Sequence, residues 1–277
     1  MSKTFVIAEA AATHDGDREK MSRLITLVAE IGAAAIKFQW VSRAERLCER
    51  RHAPDYLEAY RLLEFDPALH WRLAEQSQKY GLEYLCTVYI PEDIAVIARY
   101  VTRFKVSSFE ATDAHFVALH AEWPTKPLII SAGMGADPSR AIRAYYSGIL
   151  SCDSQRKAVA VLHCVSAYPC PDDQIGLAAL RERPMRSSPL ATGLSDHTRH
   201  PWTGALAVAA GAQIIEFHVR LDDTDPGNAD YAVSRSPKEA LAYVANIRTA
   251  EAMLGDGVGC VMPAEQEYLR YRVRPDA

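Results

Sequence analysis

Short apolar runs alternate with amphipathic stretches along almost the whole chain. Eight runs have the length and composition of buried strands, at residues 5–8, 34–38, 82–86, 104–106, 128–130, 158–163, 190–193 and 213–217. The stretches between them carry apolar residues at three- and four-residue spacing. Met21, Leu24, Ile25 and Val28 predict one buried helix face, and Leu241, Val244, Ile247 and Leu254 predict another after the last strand. Eight β-then-α units predict an α/β chain folded as a (β/α)8 TIM barrel, one domain over residues 1–255 with residues 256–277 as a tail. A doubly wound open sheet is the alternative; the lack of G-x-G-x-x-G after the first strand weighs against it. Residues 40–66, rich in Arg, Glu and Tyr, form the longest stretch without a clear helix–strand pair, and read as a long βα loop, either a lid or a surface excursion. Residues 222–236 read as a turn-rich loop after the eighth strand.

Composition narrows the class without naming it. The 277 residues suit one barrel, and 49% apolar with 24% charged content is ordinary for a soluble globular enzyme. A net charge of −4 provides no basic field for non-specific nucleic-acid or membrane binding, so any anionic ligand must be held by local groups. Six cysteines (Cys48, Cys86, Cys152, Cys164, Cys170 and Cys260) form no C-x-x-C pair and read as reduced thiols. No secretory signal pattern opens the chain and no apolar run is long enough to span a bilayer, so a cytoplasmic location is expected.

The chemistry is concentrated where the strands end. Polar residues follow nearly every run: Glu9; Lys37 and Gln39; Thr87; Lys105, Ser107, Ser108 and Glu110; Ser131; His163, Ser166 and Tyr168; Ser195, Asp196 and His197; Glu216 and His218. Buried polar groups cost free energy unless paired, so this many at one rim indicates a binding site. In a barrel that rim is the catalytic face. Lys37 and Lys105 with Thr87, Ser108, Ser131 and Ser195 suit an anion with several oxygens, such as phosphate. His197 and His218, each just past an apolar run, suit a divalent metal of the Mn, Fe, Co or Zn type, with Glu or water completing the shell. Glu9 and Glu110 are candidates for acid–base work or for binding a substrate hydroxyl; the other reading pairs each with a lysine.

At these residues the chain resembles the N-acetylneuraminate (sialic acid) synthase family and its legionaminic and pseudaminic acid relatives. The resemblance runs from about Phe5 to Gly255. It includes Phe5-Val6-Ile7-Ala8-Glu9, Ala35-Ile36-Lys37-Phe38-Gln39, Lys105-Val106-Ser107-Ser108-Phe109-Glu110, Ile130-Ser131-Ala132-Gly133-Met134, Leu162-His163-Cys164, Tyr168-Pro169, Gly193-Leu194-Ser195-Asp196-His197-Thr198 and Glu216-Phe217-His218. It implies a TIM barrel that condenses phosphoenolpyruvate with a sugar aldehyde, with a divalent metal, commonly manganese, on His197 and His218. It places phosphoenolpyruvate near Lys37, Thr87, Lys105, Ser108, Ser131 and Ser195, with Ser166 where an asparagine contacts it. It places the acceptor near Glu9, Gln39, Tyr168 and Asp230. The chain departs from the pattern at Thr13 and Asp15, where an Asn-His-Asn-Gly run is usual, and at Phe217 and Arg220, which replace a lysine and a threonine. It ends at Ala277, about where the family's C-terminal antifreeze-like domain begins, which leaves acceptor binding and homo-oligomer formation open. A synthase taking a phosphorylated sugar remains a second reading, with Arg43, Arg46 and Arg220 as its candidate basic cluster. A non-catalytic anion-binding barrel that needs a partner chain and a metal-dependent hydrolase are the third and fourth.

Overall fold

In the computed structural model, which describes residues 3–148, 159–182, 191–255 and 261–273, all eight apolar runs form strands. They are β1 (Phe5–Ala11), β2 (Ala35–Gln39), β3 (Glu83–Thr87), β4 (Phe104–Val106), β5 (Leu128–Ala132), β6 (Val159–Cys164), β7 (Ala191–Asp196) and β8 (Ile214–His218). Each pairs in parallel with the next, and β8 closes onto β1. This is the (β/α)8 barrel that the alternation predicts. Ala158 and Leu190, the expected first residues of two strands, lie outside the described residues.

Most strands run further than their apolar cores. β1 continues through Glu9 to Ala11, β3 takes in Thr87, β7 takes in Ser195 and Asp196, and β8 takes in His218. Ladder hydrogen bonds join backbones whatever the side chain, so pairing does not stop where polarity begins. Alternation along each strand then sorts the side chains. Ile7, Ala35, Leu85, Ile129, Ala160, Leu162 and Ile214 point inward and fill the barrel's floor. Val6, Ala8, Ile36, Phe38, Ile130, Leu194, Ile215 and Phe217 point outward and join the larger core beneath the helices.

One inward position on β7 cannot carry a side chain. A Cβ on Gly193 would overlap the Ile214 carbonyl oxygen and come within 2.7 Å of Leu162 Cδ2. Gly193→Ala is expected to cost at least about 3 kcal/mol, since the neighbour is backbone and cannot turn aside. Urea denaturation of the purified variant checks this.

The helices follow their apolar stripes. Met21, Leu24, Ile25 and Val28 are buried in α1 (Arg18–Glu30) as expected. The last helix differs. It spans Pro237–Leu254, and its buried face is Ala240, Tyr243, Val244 and Ile247. Leu241 is exposed because it lies roughly 100° round the helix from that stripe; Leu254 is the final residue and is also exposed. Residues 40–66 are not a plain loop. They hold two short helices, α2 (Ala44–Arg51) and α3 (Leu57–Arg61), joined by a 3-10 turn (Pro54–Tyr56). Val41, Leu47 and Leu63 pack there against Tyr89 and Ile90 as a third apolar cluster. Beyond the last helix a 3-10 segment (Pro263–Tyr271) buries none of its residues. Cys48, Cys86, Cys164 and Cys170 are free and buried; Cys152 and Cys260 lie outside the described residues. Among the described residues, no helix is long and apolar enough to cross a membrane.

Candidate active site

Above the apolar floor, the next inward position on every strand is polar or is Cys164. Together these side chains line a cavity of about 320 Å³, including its open mouth, at the C-terminal ends of the strands. Glu9, Lys37, Gln39, Thr87, Lys105, Ser107, Ser108, Ser131, Tyr168, Ser195, His197 and His218 all line it, with Tyr89, Cys164 and Glu216.

The two lysines anchor the cavity from opposite sides of β3. Glu9 and Lys37 are registered neighbours on β1 and β2, and their side chains form an ion pair. Lys37 Nζ also donates to Thr87 Oγ1 at 2.8 Å. Lys105 Nζ donates to Ser131 Oγ at 2.8 Å and lies 3.5 Å from Glu216 Oε1. Ser195 Oγ donates to the same Glu216 oxygen at 3.1 Å. Burial drives the Lys37 ammonium down to about 8, against the pull of Glu216. Burial opposes ionisation of Glu216, but Lys105 and Lys37 outweigh it and hold the carboxyl below its usual range. The cavity therefore has charge-assisted donors, short hydroxyl donors and an ionised base within one buried layer.

The two imidazoles meet at the edge of this layer, with ring centroids 5.3 Å apart. Tyr168 packs on both, at 4.2 Å from His197 and 6.0 Å from His218. His197 Nδ1 is 2.7 Å from the Val165 carbonyl and so donates to it, which leaves Nε2 as the lone-pair nitrogen. Burial disfavours its charged form, but the neighbouring Cys164 and the Val165 carbonyl outweigh that and raise it. His218 is pushed well below its usual range, first by burial and then by His197 and Lys37, and is a neutral imidazole. Its Nδ1 is buried without a hydrogen-bond partner, 3.8 Å from Asp230 Oδ1. An orphaned nitrogen on one ring and a tautomer fixed by a carbonyl on the other fit a metal. Among the described residues no third His, Cys, Asp or Glu joins them in a ligand cluster, so the remaining positions would fall to water and substrate.

Three expected residues stand outside the lining. Glu110 is held by Arg51, which donates to its Oε1 from Nη2 at 2.7 Å and from Nε at 3.1 Å, while Ser107 bonds the other oxygen. Its partner is thus an arginine, and it does not reach the cavity. Ser166 is half-buried; its Oγ shares a 2.7 Å hydrogen bond with that of the lining residue Ser108 and lies 3.9 Å from Cys164 Sγ. Asp230 accepts from the Ala12 N–H at 3.1 Å, and burial raises its carboxyl. Arg43, Arg46 and Arg220 do not line the cavity either; Arg46 pairs with Glu49 and Glu92, and Arg220 lies over the Tyr231 ring.

Arg51 was not evident from strand ends. It extends the buried Ala44-Leu47-Cys48 stripe of α2 by one helical step, and that spacing is the signal for it. Its guanidinium sits among the rings of Tyr89 (4.6 Å), Phe109 (4.7 Å) and Tyr60 (5.6 Å). Arg51→Met leaves the buried Glu110 carboxylate without its cation. The expected loss is about 3 kcal/mol in urea unfolding.

With this geometry in place, known proteins give it context. The model of the NeuB family matches residues 24–259. The chain belongs to that family. An N,N'-diacetyllegionaminic acid synthase of Legionella pneumophila is 32% identical over 91% of this chain and 74% of its own length. The N-acetylneuraminate-9-phosphate synthase of Homo sapiens is 27% identical over 94% of this chain and 74% of its own. The crystal structure of an N-acetylneuraminic acid synthetase from Leptospira borgpetersenii, in complex with citrate, superposes with a TM-score of 0.84 at 29% identity, covering 98% of this chain and 92% of that one. The NeuB-family chain is an enzyme of the synthase kind.

Proposed function

We propose that the barrel condenses phosphoenolpyruvate with the aldehyde of a sugar, N-acetylmannosamine or another modified sugar, giving a nonulosonic-type α-keto acid and phosphate. The observation that carries this reading is the buried polar layer: two ammonium groups and the hydroxyls of Thr87, Ser107, Ser108, Ser131 and Ser195 facing one cavity beside a pair of histidines. Lys37 and Lys105 bind the carboxylate and phosphate oxygens of the donor, with Thr87, Ser108, Ser131 and Ser195 as short donors. The methylene carbon of phosphoenolpyruvate attacks the aldehyde carbon, forming the new C–C bond, and the aldehyde oxygen takes a proton. Water adds at the cationic C2 and gives up a proton. Glu216, ionised and buried beside Lys105, is the carboxylate that would accept it, while Glu110 is engaged by Arg51 and Ser107. The C2–O bond then breaks, phosphate leaves and the ketone forms. Gln39 and Tyr168 at the mouth, with Glu9, meet the acceptor. A divalent cation on His197 and His218, manganese in this proposal, would supply Lewis acidity toward the acceptor carbonyl.

Relatives with named products differ in whether the product carries a phosphate, so the acceptor panel must include both kinds. Phosphate release from phosphoenolpyruvate, measured with Mn²⁺ over N-acetylmannosamine, its relatives, and phosphorylated and free sugars, tests the reading. Release that rises with one acceptor is expected. Release that ignores every acceptor points instead to a simple hydrolase.

A further inference from the structure

Arg235 is a cation buried behind the two histidines, 1% exposed, and none of the chemistry above uses it. Its backbone extends the histidine end of β8: the Arg235 N–H donates to the His218 carbonyl at 2.9 Å, and its own carbonyl accepts from the Arg220 N–H at 3.0 Å. Its side chain reaches the other histidine strand. Nη2 donates to Asp196 Oδ2 at 3.0 Å and to the His200 carbonyl at 3.3 Å, and the guanidinium lies 3.9 Å from the centroid of the Tyr243 ring.

Asp196 sits between Ser195 and His197, whose side chains enter the cavity, and points the opposite way, into the layer under the helices. Its Oδ1 accepts from the Thr198 N–H and Oγ1, both at 2.8 Å, and its Oδ2 also accepts from the Tyr243 hydroxyl at 2.6 Å. Asp196 and Phe217 are registered neighbours across β7 and β8. A lysine is the usual residue of the resembled pattern at position 217, and from there it would stand beside Asp196. Here that position is apolar, and the cation beside Asp196 comes from Arg235.

We infer that Arg235 is a positioning residue that sets the spacing of His197 and His218, bracing both strands from one point and replacing a cation at position 217. The inference rests on the metal reading proposed above. Without the guanidinium, Asp196 is a fully buried carboxylate with only neutral donors. Its side chain then no longer ties β7 to the segment after β8, and His197 shares that backbone.

The test measures Mn²⁺ affinity of the full chain by electron paramagnetic resonance of the free ion, alongside phosphoenolpyruvate affinity and thermal unfolding. The variants are Arg235→Met, Arg235→Lys and the double variant Arg235→Met with Phe217→Lys. Arg235→Met is expected to weaken Mn²⁺ binding roughly 10- to 100-fold while phosphoenolpyruvate affinity stays within about threefold. The double variant is expected to recover most of the Mn²⁺ affinity. Unchanged Mn²⁺ binding in Arg235→Met overturns the inference, and so does an equal loss of both ligands, which marks general collapse of β7. Should Arg235→Met fail to fold, the double variant decides: wild-type Mn²⁺ affinity supports the bracing role, and a folded protein with weak affinity overturns it. A wild-type chain that binds no Mn²⁺ overturns the metal reading itself and this inference with it, so the two failures are told apart by which protein lacks the ion.

Discussion

His218→Ala is expected to lower kcat/KM by roughly a thousandfold while unfolding at nearly the wild-type temperature. In the proposed reaction a cation held by the histidines would stabilise the developing alkoxide by several kcal/mol, and each 1.4 kcal/mol or so is a factor of ten in rate. The fold depends little on this imidazole. Its Nδ1 has no hydrogen-bond partner, and the ring faces Tyr168 and His197 at the cavity's edge. Removing the side chain therefore breaks no hydrogen bond at Nδ1 and takes away a buried polar atom without a partner. Steady-state kinetics with saturating Mn²⁺, paired with a thermal melt, checks both halves. A variant that keeps full activity after metal stripping would remove the histidine pair from the mechanism.

Lys37 gives the second large effect, and it is visible in the wild-type enzyme as a pH dependence. Its ammonium is lowered from 10.5 to about 8 by burial. In the proposed reaction, the charge that would bind the donor's oxygens is present below that value and is lost above it. Thus kcat/KM for phosphoenolpyruvate should fall tenfold per pH unit above about 8. The sign for stability is the reverse. Between about 8 and 10.5 the unfolded chain holds a proton on Lys37 that the folded chain has released, so this group's contribution to stability rises with pH across that window. Lys37→Met should cost roughly 10²- to 10³-fold in kcat/KM and abolish the alkaline limb near 8. A wild-type profile that stays flat to pH 10, or a methionine variant that retains the limb, would assign the titration to another group.

Most of the barrel was legible because its strands are apolar on both faces, and such runs stand out from amphipathic helices. Their C-terminal ends were harder to read. Glu9, Thr87, Ser195 and His218 look like loop residues by polarity, yet they pair in the sheet because the barrel's upper interior is polar. The period of two along each strand separates the polar residues that serve the site from those that do not. Counting in twos from the floor residue Ile214 reaches Glu216 and His218, and from Leu162 it reaches Cys164. His163 and Asp196 fall on the opposite parity. His163 bonds the Ile175 carbonyl and Asp196 bonds Arg235 and Tyr243, both away from the cavity. Cys164, which lines the cavity 3.9 Å from His197 Nδ1, was legible by this parity but not by residue type. Arg51 and Arg235 were not legible from strand patterns. Each acts across the fold on a carboxylate distant in sequence, Glu110 and Asp196, and only the packed structure brings them together.

Mass spectrometry of the product tests the central claim most directly. Wild-type enzyme is incubated with phosphoenolpyruvate, Mn²⁺ and the acceptor that stimulates phosphate release, and the organic product is weighed. Condensation gives a single species with the mass of the acceptor plus one pyruvic acid, formed in equal amount to the phosphate. Free pyruvate alongside unchanged acceptor, or an acceptor gaining phosphate in place of carbon, would contradict the account.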